Sequence, residues 1–164
     1  MESCIDSLIL ALGSNLGDRE QQIHSALKKI EERIGTIKSL SALYHTSPVG
    51  FDSSHDFLNC VCEVSSNIDI NTIFAITREI EDEMGRKTKS VDGQYADRII
   101  DIDLILADNL IIDTPELTLP HPRFHQRDFV VSPLCEIAPD REHPLLGKSI
   151  RQLRDELQHA ERDQ

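Results

Sequence analysis

The chain has 164 residues and a formal net charge of −12, from 29 acidic against 17 basic side chains. That length suits one domain, residues 1–164, with a sizeable hydrophobic core. The acidic balance argues against general nucleic-acid binding, which needs basic surface to displace counterions, and no apolar run approaches the ~20 residues of a membrane span.

Leu8–Leu12 is a short apolar run ending at Gly13 and predicts a buried first strand. Asp18 can cap a helix with Gln21 as its partner, and Ile23, Leu27, Ile30 and Ile34 form one apolar stripe that stops at Gly35. Thr36–Thr46 reads as a strand and Ser47–Asp56 as a loop. Phe57–Ser65 is the next strand, with Leu58, Cys60, Cys62 and Val64 on one side. A second helix covers Ile70–Met84 and closes at Gly85, followed by a polar loop, Arg86–Asp97. Ile99–Leu106 is a further strand. A short apolar piece, Leu110–Ile112, leads into a proline-punctuated segment through Pro144 and a final helix over Ser149–Gln158. The order βαββαβ predicts an α+β, ferredoxin-like fold: an antiparallel sheet with helices on one face, plus a C-terminal extension.

Met1-Glu-Ser-Cys-Ile-Asp6 has neither the basic region nor the apolar core of a secretion signal. Cys4, Cys60, Cys62 and Cys135 show no C-x-x-C spacing and read as free thiols of a reducing compartment. A cytoplasmic protein is expected. No long apolar stripe is left over, so a monomer is expected too.

The most informative stretch is Arg98-Ile-Ile-Asp101-Ile-Asp103-Leu-Ile-Leu106. Alternation puts Ile100, Ile102, Leu104 and Leu106 on one face, and Asp101 and Asp103 on the other beside Ile99 and Ile105. Two like charges ~7 Å apart on an otherwise apolar strand repel and are costly to desolvate. A divalent cation such as Mg²⁺, completed by water and substrate phosphates, removes that cost. A solvated strand face is the alternative reading. On the second helix, Glu81 lies at the margin of the stripe made by Ile73, Thr77, Ile80 and Met84, and with Asp101 and Asp103 it would form an acidic cluster at one pole.

Basic residues gather opposite these acids. Arg86, Lys87, Lys89 and Arg98 surround the second loop, and His121, Arg123, His125 and Arg127 follow Pro120. Acids that hold metal, faced by cations, are a phosphoryl-transfer layout, although a solvated charged turn explains the loop equally well. There is no P-loop and no protein-kinase signature. A nucleotidyltransferase would carry its Gly-Ser element just upstream of the paired aspartates, whereas Gly13-Ser14 lies far from Asp101. A small-molecule sensor of the same fold would need no paired aspartates.

The residues in order resemble the 6-hydroxymethyl-7,8-dihydropterin pyrophosphokinases. The pieces that carry the resemblance are Ala11-Leu-Gly-Ser-Asn-Leu-Gly17, Tyr44-His-Thr-Ser-Pro-Val-Gly50, Phe57-Leu-Asn59, Ile80-Glu81 and Gly85-Arg86. They continue with Tyr95-Ala-Asp-Arg98, Ile100–Leu106, Leu119-Pro-His121, Arg127-Asp-Phe129 and Pro133–Pro139. Each is short, and their joint order is specific. The resemblance implies transfer of pyrophosphate from ATP to the hydroxymethyl group of 6-hydroxymethyl-7,8-dihydropterin, releasing AMP, in folate biosynthesis. It implies two Mg²⁺ ions on Asp101 and Asp103, and catalytic roles for both with Arg86 and Arg98. It also implies ATP contacts from Glu81, Arg86, Arg98, Ile105, His121 and Arg127, and a pterin site made of Thr46, Val49, Phe57, Asn59 and Phe129. The second loop departs from the family pattern: it carries Lys87 and Lys89, and Tyr95 stands where a Trp is usual.

Overall fold

The computed structural model describes residues 4–15, 17–46, 57–85 and 99–162. Two ten-residue strands, β1 (Ile5–Ser14) and β4 (Phe57–Ser66), pair at the centre of an antiparallel sheet. β2 (Thr36–Leu40) and β3 (Tyr44–Thr46) both pair with the outer side of β4. β5 (Asp101–Ala107) pairs with β1, so the order across the sheet is β2–β4–β1–β5.

The single strand expected over Thr36–Thr46 is therefore two. Ser41 makes the break. Its N–H donates to the Val61 carbonyl at 2.9 Å, but its hydroxyl oxygen, not its carbonyl, accepts the return bond from Val61 N–H at 2.9 Å. A side chain substitutes for one rung of the ladder there and the strand is interrupted.

Helix α1 (Arg19–Arg33) begins where expected, with the Asp18 carboxylate accepting from Gln21 N–H at 3.1 Å. Helix α2 (Ile70–Gly85) buries Ile73, Thr77, Ile80 and Glu81. Both helices lie on one face of the sheet. There Ile23, Ala26, Leu27, Ile30, Ile73 and Ile80 join Leu8, Leu10, Leu12, Leu58, Cys60, Cys62, Val64, Ile100, Ile102 and Leu104 in one buried cluster. Each large side chain taken out of water there contributes roughly 1.5–3 kcal/mol.

The core helices α1 and α2 share one face as expected, and the extension adds helices on the other. After β5 come a small hairpin, β6 (Ile112–Asp113) and β7 (Thr118–Leu119), a 3-10 turn at Phe124–Gln126, and helices α3 (Asp128–Ile137) and α4 (Ile150–Arg162). Phe124, Val130, Val131, Leu134, Ile150 and Leu153 pack against Ile9, Val61, Ile105 and Leu106 on the opposite face. Helices thus cover both faces. The sequence does not announce α3, because Pro133 lies inside it and removes one backbone donor. Its apolar residues, buried on the sheet, outweigh that loss. Arg141 secures the extension, donating to the carbonyls of Asp108 at 2.8 Å and Ser7 at 3.2 Å.

Leu106 is a second correction. Strict alternation groups it with Ile100, Ile102 and Leu104, yet it packs in the other cluster. Ile9 stands opposite Leu106 and Leu10 opposite Leu104, so Ile105 is an extra residue in β5. Such a bulge breaks the alternation and turns Leu106 to the other side.

Among the described residues no helix is long and apolar enough to cross a membrane. Cys60, Cys62 and Cys135 are free thiols, as expected, and Cys4 is exposed. Burial pushes the Cys60 thiol up to about 12 and that of Cys62 higher still, which keeps both unreactive.

Candidate active site

The register of the sheet brings the polar candidates into line. One transverse row of strand partners reads Tyr44, Asn59, Gly13, Asp101. The row beside it reads Val61, Ala11, Asp103. Asp101 is half-buried and Asp103 exposed, both on the face opposite Ile100, Ile102 and Leu104. Their partners on β1 are glycine and alanine, so no bulky side chain crowds the carboxylates from that strand.

Gly13 lies between Asn59 and Asp101 for a steric reason. A Cβ on Gly13 would stand 2.9 Å from Asn59 Oδ1. Asn59 is buried, and its Nδ2 donates to Thr46 Oγ1 at 2.7 Å. That bond orients the amide and joins β4 to β3. Phe57, half-buried, shares the Asn59 side of β4 and pairs with Thr46.

The paired aspartates fit a hard divalent cation. Carboxylate oxygens suit Mg²⁺, which takes one or two of them and completes its sphere with water and phosphate. Among the described residues no group of three or more His, Cys, Asp or Glu is placed to hold a metal. That rules against an all-protein cage there, although Glu81 does lie close to the residue between the two aspartates. Glu81 is 7% exposed, and its Oε2 accepts from the backbone N–H of Ile102 at 2.9 Å. It braces β5 from the α2 side while Asp101 and Asp103 project from the other face.

Sequence reasoning missed Ser14. Fully buried, it donates its hydroxyl to the Ile99 carbonyl at 2.6 Å. Its sequence signals are a polar residue closing an apolar strand and its place in the Ala11–Gly17 piece, neither of which names its partner. Gly85, the last residue of α2, approaches Ile99 so closely that a Cβ would lie 3.1 Å from Ile99 Cβ. Gly85 and Ile99, the described residues on either side of the second loop, therefore meet.

His121 and Arg127 flank the 3-10 turn. The His121 N–H donates to the carbonyl of Ile105, the bulged residue, at 2.9 Å. The Ile105 side chain itself is buried in the second core cluster. His121 Nδ1 accepts from Arg123 N–H at 3.1 Å, which leaves the imidazole proton on Nε2. Burial, with Arg127, Arg123 and His125 adding to it, pushes this histidine down to about 4. His121 is thus a neutral donor at pH 7. The Arg127 guanidinium carbon sits 5.7 Å from the centre of the Phe129 ring, which is 38% exposed on the first turn of α3. Val49, Arg86 and Arg98 lie outside the described residues.

A family model described as 7,8-dihydro-6-hydroxymethylpterin-pyrophosphokinase matches residues 9–139. The chain belongs to this family. It is an enzyme of the pyrophosphokinase class. Among curated relatives, the 2-amino-4-hydroxy-6-hydroxymethyldihydropteridine pyrophosphokinase of Porphyromonas gingivalis is 47% identical over 131 residues, covering 79% of this chain and 89% of that one. The Aquifex aeolicus protein of the same name is 35% identical over 150 residues, covering 92% of this chain and 91% of that one. A crystal structure of Plasmodium falciparum HPPK-DHPS superposes with a TM-score of 0.83 at 15% identity, over 99% of this chain and 46% of that one, a likeness of fold. In this pyrophosphokinase the matched span holds Gly13, Asn59, Asp101, Asp103, His121, Arg127 and Phe129, while α4 lies beyond it.

Proposed function

We propose that the chain transfers the pyrophosphate group of ATP to the hydroxymethyl oxygen of 6-hydroxymethyl-7,8-dihydropterin, with Mg²⁺, and releases AMP. The observation that carries this reading is the row Asn59–Gly13–Asp101, which sets an oriented amide across one glycine from the paired aspartates. Family membership supports the same chemistry. The strand order, with α1 and α2 together on one face, supports a ferredoxin-like core beneath it.

Each residue then has a physical task. The Asn59 amide, held by Thr46, offers a donor and an acceptor to the amino-pyrimidinone edge of the pterin, with backbone near Val49 taking the rest. Phe57 and Phe129 offer ring faces to a flat heterocycle. Asp101 and Asp103 hold two Mg²⁺ ions, which supply neutralisation of the triphosphate charge when bound. His121 Nε2–H and Arg127 donate to phosphate oxygens, and Arg86 and Arg98 bring further positive charge. The bond formed joins the hydroxymethyl oxygen to the β-phosphorus. The bond broken lies between the β-phosphorus and the oxygen bridging to the α-phosphorus, and the hydroxyl proton is released.

Incubation with ATP, Mg²⁺ and the reduced pterin tests this. AMP formation that depends on the pterin is the expected result. Pyrophosphate release, or no consumption of ATP, overturns the reading. Asp103→Asn should lower the rate by at least ~100-fold, the scale set by losing charge stabilisation at the phosphates, with little change in unfolding temperature because the side chain is exposed. Activity within tenfold of the parent overturns the metal assignment.

A further inference from the structure

β5 is the last strand in the order β2–β4–β1–β5, so its outer backbone groups have no strand beside them among the described residues. It also carries the two carboxylates, which repel each other. The backbone groups on that outer edge must find partners outside the sheet. Two buried side chains from different elements supply them. Glu81 of α2 accepts from the outward N–H of Ile102, the residue between the aspartates, at 2.9 Å. Ser14 of β1 donates to the carbonyl of Ile99, two residues before Asp101, at 2.6 Å. Glu81 is 7% and Ser14 0% exposed, the Glu81–Ile102 bond is buried and the Ser14–Ile99 bond partly so. A carboxylate bond to a backbone N–H is charge-assisted and among the stronger kinds. Gly85 packs on Ile99 beside them.

We propose that Ser14 and Glu81 are positioning residues that hold the backbone of residues 99–102 and so fix the Asp101–Asp103 pair for a metal-bound nucleotide. Glu81 then acts on β5 and not as a ligand of ATP. The proposal rests on the function proposed above, since it needs the aspartates to receive a metal–ATP complex. Residues that orient metal ligands from behind typically change metal affinity by ~10–100-fold when removed.

The test is binding of Mn²⁺–ATP to the intact chain, followed by electron paramagnetic resonance without turnover. Glu81→Ala should weaken binding at least ~10-fold and Ser14→Ala ~3–10-fold. Glu81→Gln keeps an acceptor oxygen and should stay within ~3-fold of the parent, which separates an acceptor from a charged ligand. Should Glu81→Ala fail to fold, Glu81→Gln and Ser14→Ala still decide. In the Asp101→Asn, Asp103→Asn background, Glu81→Ala should have no further effect, because the orientation it serves is gone. A Glu81→Gln chain that is folded yet loses tenfold overturns the proposal. So does Glu81→Ala that lowers the unfolding temperature with Mn²⁺–ATP affinity unchanged. Loss of binding in Asp103→Asn with the Glu81 and Ser14 variants at parental affinity overturns this inference alone. Parental binding in Asp103→Asn overturns the metal site on which it rests.

Discussion

Gly13 stands directly between Asn59 and Asp101 in the sheet, paired with one through β4 and with the other through β5. The two halves of the proposed reaction, recognition of a heterocycle and neutralisation of a triphosphate, therefore meet across a residue with no side chain. Neither half is on a long arm. Asn59 is buried and bonded to Thr46, and Asp101 and Asp103 belong to a strand braced on its outer edge. Binding groups on rigid strands lose less freedom on engaging a ligand than groups on loops do.

Gly13→Ala probes this junction. The added methyl would lie 2.9 Å from Asn59 Oδ1, the movable end of that side chain, so the amide turns aside and the backbone stays. The turned amide gives up its bond to Thr46, so the fold should lose about 1–3 kcal/mol, and affinity for a pterin analogue should fall about tenfold. Thermal unfolding and a fluorescence titration give both numbers. Unaltered analogue affinity in a folded Gly13→Ala chain would detach Asn59 from pterin recognition.

Periodicity made much of this frame legible. The Asp18 cap, the Ile23–Leu27–Ile30 stripe and the Leu58–Cys60–Cys62–Val64 side of β4 follow from spacing alone and occur in the structure. Spacing cannot carry a property of two segments together. The bulge that turns Leu106 to the second face exists only in the pairing of β5 with β1. Pro133 hides α3 from any single-chain reading, because tertiary burial of Val130, Val131 and Leu134 decides the helix. Glu81 reads as a misplaced acid until its partner, a backbone N–H on another element, is seen. The family resemblance supplied the candidate site residues, and the register supplied their order across the sheet.

Phe129 and Phe124 should separate binding from folding. Phe129 is 38% exposed and touches Arg127, a cation–π contact on the order of 0.5–1 kcal/mol. Phe129→Ala should hardly move the unfolding temperature, while pterin-analogue affinity drops about tenfold. Phe124 is fully buried, so Phe124→Ala should cost about 3–5 kcal/mol of stability. Equal loss of stability in the two variants would contradict the exposed placement of Phe129.

Glu136 of α3 lashes that helix to the β2–β3 connection. It accepts from the Tyr44 hydroxyl at 2.6 Å and from Ala42 N–H at 3.0 and 3.2 Å. The phenol O–H donating to a carboxylate, with burial behind it, pushes Tyr44 up to about 12. In a Tyr95→Phe chain Tyr44 is the one remaining tyrosine, since the sequence has two. Its ultraviolet titration should centre near 12, and adding Glu136→Gln should bring it back toward 10. A midpoint near 10 in the parent would mean that the lash is open in solution.

The histidines set an acid limit on stability. His121 falls from 6.5 to about 4 mainly through burial, so the folded chain resists a proton that the unfolded chain accepts. His143 is lowered as well, mainly by burial. Where the unfolded state binds more protons, stability rises with pH. The contribution of His121 is therefore whole above 6.5 and is lost as the pH falls from there toward about 4. His121 keeps partial contact with solvent, which damps the effect. His121→Gln retains an acceptor for Arg123 N–H and cannot titrate. Between pH 7.5 and 5, the unfolding temperature of the parent should drop more than that of His121→Gln, by on the order of 2 °C. The two curves running parallel would show that His121 takes up its proton in the folded chain as readily as in the unfolded one.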